Sequence, residues 1–106
     1  MTERELTTKC IKAMKKYAAE RSNGILVVKI HAGPNQPIGL SDIVGCYLGT
    51  FFAIEMKLPG KEGKLTERQQ QKLDKVEQAG GHASVQTSIL GCIGVLKEIE
   101  DAPQFD

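Results

Sequence analysis

One stretch, residues 39–57, constrains the fold more than any other part of the 106-residue chain. Its sequence is Gly-Leu-Ser-Asp-Ile-Val-Gly-Cys-Tyr-Leu-Gly-Thr-Phe-Phe-Ala-Ile-Glu-Met-Lys. The β-branched and aromatic residues on both sides of Leu48-Gly49 predict two strands and a tight turn. Because the start of the first strand of a hairpin lies beside the end of the second, we expect Asp42 to lie next to Glu55 and Lys57.

The end of the hairpin that contains Asp42, Glu55 and Lys57 is a candidate functional site. Period-2 alternation places Glu55 and Lys57 on one face of the second strand and Met56 on the other. A strand ending in Glu-x-Lys is by itself an ordinary solvated strand end. With a second carboxylate in hairpin register, however, the group has the oxygen ligands that a hard divalent cation prefers and a positive charge for a phosphodiester.

Length and composition bound the remaining possibilities. A chain of 106 residues with 41% hydrophobic and 25% charged residues predicts one soluble globular domain over residues 1–106. No apolar run is long enough to span a membrane and the N-terminus is not signal-like, so we expect no membrane partner and a cytoplasmic location. The three cysteines lack metal-ligand spacing and are interpreted as small core residues.

Charge is unevenly distributed along the chain. Residues 1–97 contain all 14 lysines and arginines but nine of the 13 acids, whereas residues 98–106 contain four acids and no base. We therefore expect a mildly basic body, which is compatible with a polyanion partner, and an acidic tail over residues 98–106.

The remaining elements follow from periodicity and capping signals. Residues 2–21 predict a helix with a capping box of Thr2 and Glu5, and residues 24–31 predict a strand that is apolar enough to be central. A loop (32–39) leads to the hairpin, and a basic loop then leads to a helix from Thr66 to Ala79, capped by Thr66 and Gln69. A strand (82–87) and a helix (89–99) complete an α-β-β-β-α-β-α order, in which the crossover should make the fourth strand parallel to its neighbour.

The spaced motifs resemble a known family. Gly39-Leu-Ser-Asp42, Glu55-Met56-Lys57, Leu65-Thr66-Glu67-Arg68-Gln69 and Ala79-Gly80-Gly81 look like the VRR-NUC family of the PD-(D/E)XK nuclease superfamily, in its compact stand-alone phage and bacterial form. The similarity covers residues 3–95, with Ser41 standing where the family usually has proline. It implies an α/β fold with a restriction-endonuclease-like αβββαβ core, a mixed central sheet flanked by helices, and here an extra C-terminal helix.

The resemblance also implies roles for individual residues. Asp42, Glu55 and the backbone carbonyl of Met56 would ligate Mg²⁺ or Mn²⁺, Lys57 would orient or help deprotonate the attacking water, and Gln69 would hold the site. A further acid from the first helix is Glu5, with Glu3 as the alternative; capping of the helix explains Glu5 equally well. Five further side chains are candidates for contacts with the DNA backbone. They are Lys29, His31, Lys61, Lys64 and Arg68.

The implied function is divalent-metal-dependent hydrolysis of DNA phosphodiesters, selective for branched DNA in the manner of a Holliday-junction resolvase, by a homodimer in a bacterial or phage-infected cytoplasm. Two alternatives stay open. The chain could be a non-catalytic nucleic-acid-binding module on a nuclease fold, or a nuclease for nicked, flapped or ordinary duplex DNA. His31 is either a phosphate contact or an ordinary histidine at the end of a sheet.

Overall fold

The computed structural model describes residues 1–31 and 41–102, and its element order is the predicted one. The elements are α1 (Glu3–Glu20), β1 (Ile25–Lys29), β2 (Ile43–Tyr47), β3 (Thr50–Met56), α2 (Glu67–Gln78), β4 (His82–Gln86) and α3 (Ile89–Asp101). The predicted loop 32–39, including Gly39 of the family motif, lies outside the described residues.

One mixed sheet organises these elements in the order β1-β2-β3-β4. β1–β2 and β2–β3 are antiparallel, whereas β3 and β4, which are joined by the α2 crossover, are parallel. This topology confirms the α/β class with a mixed sheet flanked by helices and a closing helix.

The predicted central position of the first strand is wrong, because β1 lies at the edge of the sheet and pairs with β2 alone. An apolar run of this kind predicts burial on both faces of a strand. Instead one face of β1 packs on the core through Val27, while Leu26 and Val28 on the other face are 63% and 42% exposed. Apolar residues of this strand thus lie at the surface on one side of the sheet.

Local chemistry explains the β2–β3 hairpin. Leu48 and Gly49 both adopt left-handed backbone angles, with φ of 49° and 80°, and form a two-residue turn whose twist matches that of the strands. Tyr47 therefore pairs with Thr50, and the ladder continues to Ile43 opposite Ile54. The turn thereby fixes the register that aligns the far ends of the two strands.

Helices cover the two faces of the sheet unequally. The apolar stripe of α1 and the buried side of α3 pack on one face, where they form the main core. That core contains Leu6, Cys10, Met14, Ala18, Val27, Ile43, Tyr47, Phe52, Ile54, Met56, Cys92, Val95, Leu96 and Ile99. α2 packs against β3 and β4, and the lining that it shares with Val44 and Ala53 places it on the opposite face. Of the three cysteines, Cys10 and Cys92 are core residues as expected, whereas Cys46 is partly exposed.

The acidic segment 98–106 does not begin as a tail, because α3 continues to Asp101. Glu100 accepts hydrogen bonds from the hydroxyls of Tyr17 and Tyr47, both at 2.7 Å, and lies 3.0 Å from the Arg21 guanidinium. These partners, led by the Tyr47 hydroxyl, lower the pKa of Glu100 and keep its charge in place. Residues 103–106 lie outside the described part of the chain.

No helix within residues 1–31 and 41–102 combines the length and the apolar character that crossing a bilayer requires.

Candidate active site

The β2–β3 register brings the two predicted carboxylates together. Ile43 pairs with Ile54, so Asp42, the next residue outward, lies opposite Glu55. The Asp42 side chain also contacts β3 directly, because its Oδ2 accepts a hydrogen bond from the Met56 N–H at 2.8 Å. Its backbone carbonyl accepts from the N–H of Ile30 at 2.8 Å. Asp42 is therefore held from both sides although it precedes the first paired residue of β2.

Glu55 is a buried carboxylate with only one of its oxygens satisfied. The residue is 2% exposed, and its Oε1 accepts a hydrogen bond from Gln69 Nε2 at 2.8 Å. Its Oε2 is buried and has no hydrogen-bond partner within the described ranges. A buried, unpaired carboxylate oxygen is costly, so this atom calls for a ligand, a proton or a cation.

Burial and the neighbouring Asp42 carboxylate raise the pKa of Glu55 from its ordinary value of 4.5 to about 8, against the opposing charge of Lys57. Glu55 therefore carries a proton at neutral pH when no cation is bound. A cation placed between the two carboxyl groups would replace that proton and relieve the repulsion.

Lys57 completes the group that the sequence predicted. Its Nζ lies 3.8 Å from Glu55 Oε1 and 3.4 Å from Gln69 Oε1, and 12% of its side chain is exposed. The Lys57 N–H donates to the Gln86 carbonyl of β4 at 3.0 Å, which holds the chain in line beyond the end of β3. Gln86 was not among the predicted site residues, because its contribution depends on the parallel β3–β4 register rather than on a motif.

Gln69 links the first turn of α2 to the site. Its Oε1 accepts from the Thr66 N–H at 2.9 Å, and its own N–H donates to Thr66 Oγ1 at 3.1 Å, which is the predicted capping box. With its oxygen fixed by the cap, the amide nitrogen of the same side chain points to Glu55. One residue therefore both caps the helix and orients the carboxylate.

The first helix places its two acids differently. Glu5 is exposed, and its Oε1 accepts from the Thr2 N–H at 3.1 Å; hydrogen bonding to Thr2 lowers the pKa of Glu5. Its carboxylate is thus engaged in the cap of α1 and is not brought to the Asp42–Glu55 pair. Glu3, the alternative, is near enough for its charge to contribute to the raised pKa of Glu55.

The predicted DNA-contacting residues lie at the surface around this end of the sheet. Lys29 ends β1 and is partly buried, and His31 is exposed just beyond it. Lys61 and Lys64 are exposed in the loop after β3, and Arg68 is exposed in the first turn of α2. Within the described chain, none of these five side chains forms an ion pair with an acid, so the charges of the three lysines and of Arg68 are available to a polyanion.

The carboxylate pair suits a hard cation, although it is a small ligand set. No group of three or more histidine, cysteine and acidic side chains is arranged to hold a metal in residues 1–31 and 41–102. Mg²⁺, however, is commonly held by one or two carboxylates, with waters and substrate phosphate as the other ligands. The unpartnered Glu55 Oε2 beside Asp42 fits such a site on the chemistry of its donors.

Comparison of the sequence with models of protein families and with curated proteins finds no match in either.

Proposed function

We propose that this chain is a divalent-metal-dependent endonuclease that hydrolyses DNA phosphodiester bonds. The observation that carries the proposal is the Glu55 carboxylate, which is buried beside Asp42 with one oxygen unpaired. A purely structural role would favour a neutral or apolar residue there, because burying a second acid beside a first costs stability. A carboxyl group whose pKa is strongly shifted, and which lies beside a lysine, is characteristic of functional sites.

Asp42 and Glu55, with the Met56 carbonyl as a further oxygen, would hold Mg²⁺ or Mn²⁺. When bound, such an ion acidifies water and neutralises charge on the phosphate. Two features of the chain prepare these ligands. The Met56 N–H fixes Asp42 Oδ2, and the Gln69 amide fixes Glu55 Oε1, so each carboxylate keeps its other oxygen for the ion.

Lys57 supplies the second part of the chemistry. Its ammonium group lies beside Glu55, where it can hydrogen-bond the attacking water and offset charge that develops on the phosphate. The Gln69 oxygen, 3.4 Å away, limits the positions that the flexible lysine can adopt. Orientation of this kind is a main source of catalytic rate, because it removes the entropy cost of bringing the groups together.

We further propose that the enzyme acts on branched DNA as a homodimer, in keeping with the resolvase-like members that the sequence resembles. Each chain has one Asp42–Glu55 pair, and resolving a four-way junction requires two cuts, so two chains would be needed. The exposed basic side chains around the site suit backbone contacts, which require charge and reach rather than fixed geometry.

A cleavage assay separates an enzyme from a non-catalytic binder. A labelled four-way junction and its matched linear duplex are incubated with Mg²⁺, Mn²⁺ or EDTA. The wild type is compared with Asp42→Asn, which keeps an acceptor for the Met56 N–H, and with Asp74→Asn, the same change at an exposed position on α2. We expect metal-dependent cleavage by the wild type and Asp74→Asn, and at least about 100-fold slower cleavage by Asp42→Asn.

Two results would contradict the proposal. One is DNA binding by the wild type with no cleavage under any metal, which would leave a binding module. The other is undiminished cleavage by folded Asp42→Asn, which would place the active site elsewhere. Equal cleavage of both DNAs would keep the nuclease but remove the selectivity for branches.

A further inference from the structure

A groove of about 340 Å³ runs between α2 and the part of the sheet that this helix leaves open. Val44, Phe51 and Ala53 form its floor, and Lys72, Lys75 and Val76 of α2 form its wall. Phe51 is an aromatic residue with 47% of its surface exposed. On the same sheet face, opposite Cys46 and Val44, the exposed Leu26 and Val28 extend the apolar floor to the edge strand.

One end of the groove lies close to the candidate active site. Phe51, Ala53 and Glu55 alternate along β3 and therefore share one face. Ser41, which directly precedes Asp42, also lines the groove. On α2, Lys72 and Lys75 follow Gln69 by three and six residues, or about 4.5 and 9 Å along the helix axis. The groove therefore leads away from the carboxylate pair along a line of positive charges.

An apolar floor beside spaced ammonium groups suits a single strand of nucleic acid. Bases stack on exposed aromatic rings in single-strand-binding proteins, and lysines contact the phosphates. Lys72 and Lys75 form no ion pair with an acid in the part of the chain that the structure describes. A paired duplex keeps its bases stacked on one another and cannot offer a base face to Phe51, whereas an unpaired nucleotide can.

We infer that this groove binds the unpaired nucleotides next to the cleaved phosphate, with a base stacked on Phe51 and phosphates contacted by Lys72 and Lys75. The inference rests on the proposed nuclease function and adds that the enzyme holds the nucleotides beside the cleaved phosphate unpaired, either at the branch point of a junction or in a single-stranded segment. A second copy of the chain is a poorer occupant. In a two-fold interface formed by this surface, the lysines of each copy would approach those of the other.

Binding without metal tests the groove separately from catalysis. The fluorescence anisotropy of a labelled 12-nucleotide oligothymidine and of a 12-base-pair duplex is measured in EDTA over a series of salt concentrations. The variants are Phe51→Ala, Phe51→Trp and the double variant Lys72→Gln/Lys75→Gln. The double variant Lys12→Gln/Lys97→Gln removes the same charge from exposed positions on α1 and α3 and serves as the control. Thermal melting confirms that each variant is folded.

Stacking predicts that Phe51→Ala weakens single-strand binding by about fivefold or more, with less effect on the duplex, and that Phe51→Trp preserves it. The salt dependence is the slope of the logarithm of the binding constant against the logarithm of the salt concentration. Because the Lys72/Lys75 variant loses two phosphate contacts, the magnitude of this slope should fall by about 1.4, and the control variant should show a smaller decrease. Unchanged single-strand affinity in folded Phe51→Ala would overturn the inference. So would a wild-type dimer that Phe51→Ala makes monomeric without a change in that affinity.

The outcomes for the groove and for the nuclease remain distinguishable. Metal-dependent cleavage by the wild type together with unchanged single-strand binding by Phe51→Ala would contradict the inference about the groove and support the proposed nuclease function. Single-strand binding that depends on Phe51, with no cleavage under any metal, would support the inference about the groove and contradict the proposed nuclease function.

Discussion

Replacing Glu55 by glutamine should stabilise the metal-free protein, and increasingly so as the pH rises. The folded state holds the Glu55 proton up to a pKa of about 8, whereas an ordinary carboxyl group loses it near 4.5. Between these values the folded state binds one proton more than the unfolded state, so the free energy of unfolding falls as the pH increases. The slope is about 1.4 kcal/mol per pH unit. Glutamine keeps an acceptor for Gln69 and cannot ionise, so the variant should lack this slope.

Urea unfolding in EDTA at several pH values between 5.5 and 7.5 measures the effect. Over that range the stability of Glu55→Gln relative to wild type should rise by about 2.5 kcal/mol, because the slope flattens as the pH nears the folded pKa. Glu20→Gln, which removes the same charge from an exposed position at the end of α1, should follow the wild type. Added Mg²⁺ or Mn²⁺ should stabilise the wild type by mass action and have little effect on Glu55→Gln. A stability difference that does not change with pH would refute the account of Glu55 as a buried, proton-holding acid.

Two further predictions concern the supports of the site and of the sheet. Gln69→Ala should lose both the cap with Thr66 and the amide bond to Glu55, costing about 1 kcal/mol of stability as well as activity. Gln69→Glu should keep the cap but place another carboxyl group against the buried Glu55, so it should lose activity and also lose stability as the pH rises. Thermal melting and cleavage measured side by side check both variants, and a Gln69→Glu protein as stable as the wild type at high pH would contradict the contact. Gly45→Ala should cost about 3 kcal/mol or more in urea unfolding, because its methyl group would overlap the Leu26 carbonyl oxygen of β1 and the Phe52 ring. Gly94→Ala in α3 has open space and should be neutral or stabilising by up to about 1 kcal/mol, so equal effects at the two glycines would contradict the packing described.

The parts of this fold that sequence predicts well are those that short-range chemistry determines. Both capping boxes and the Leu48-Gly49 turn depend on residues within one turn of each other, and each was found as predicted. The turn then fixes the β2–β3 register. Asp42 and Glu55 could therefore be paired from the sequence although no local signal connects them.

The features that sequence did not predict depend on tertiary surroundings. The edge position of β1 depends on what covers the outer face of Leu26 and Val28, which a run of apolar residues cannot specify. Glu5 fits a cap and a metal site equally well by spacing, and its side chain is found in the cap because of where α1 starts relative to the sheet. From the sequence, Glu100 belongs to an acidic tail. In the structure it accepts hydrogen bonds from Tyr17 and Tyr47, which are distant in sequence.

Lys57→Met offers the most direct test of whether this site is a metal-dependent nuclease. Methionine keeps an unbranched side chain of similar length in the partly buried position and removes only the ammonium group. Single-turnover cleavage with Mg²⁺ and the metal-induced shift in Tm are measured on the same preparations. We predict that both proteins show the shift in Tm and that Lys57→Met cleaves DNA at least about 100-fold more slowly than the wild type. Equal cleavage by the two proteins, or no metal-dependent cleavage by the wild type, would contradict the assignment of Asp42, Glu55 and Lys57 as the active site.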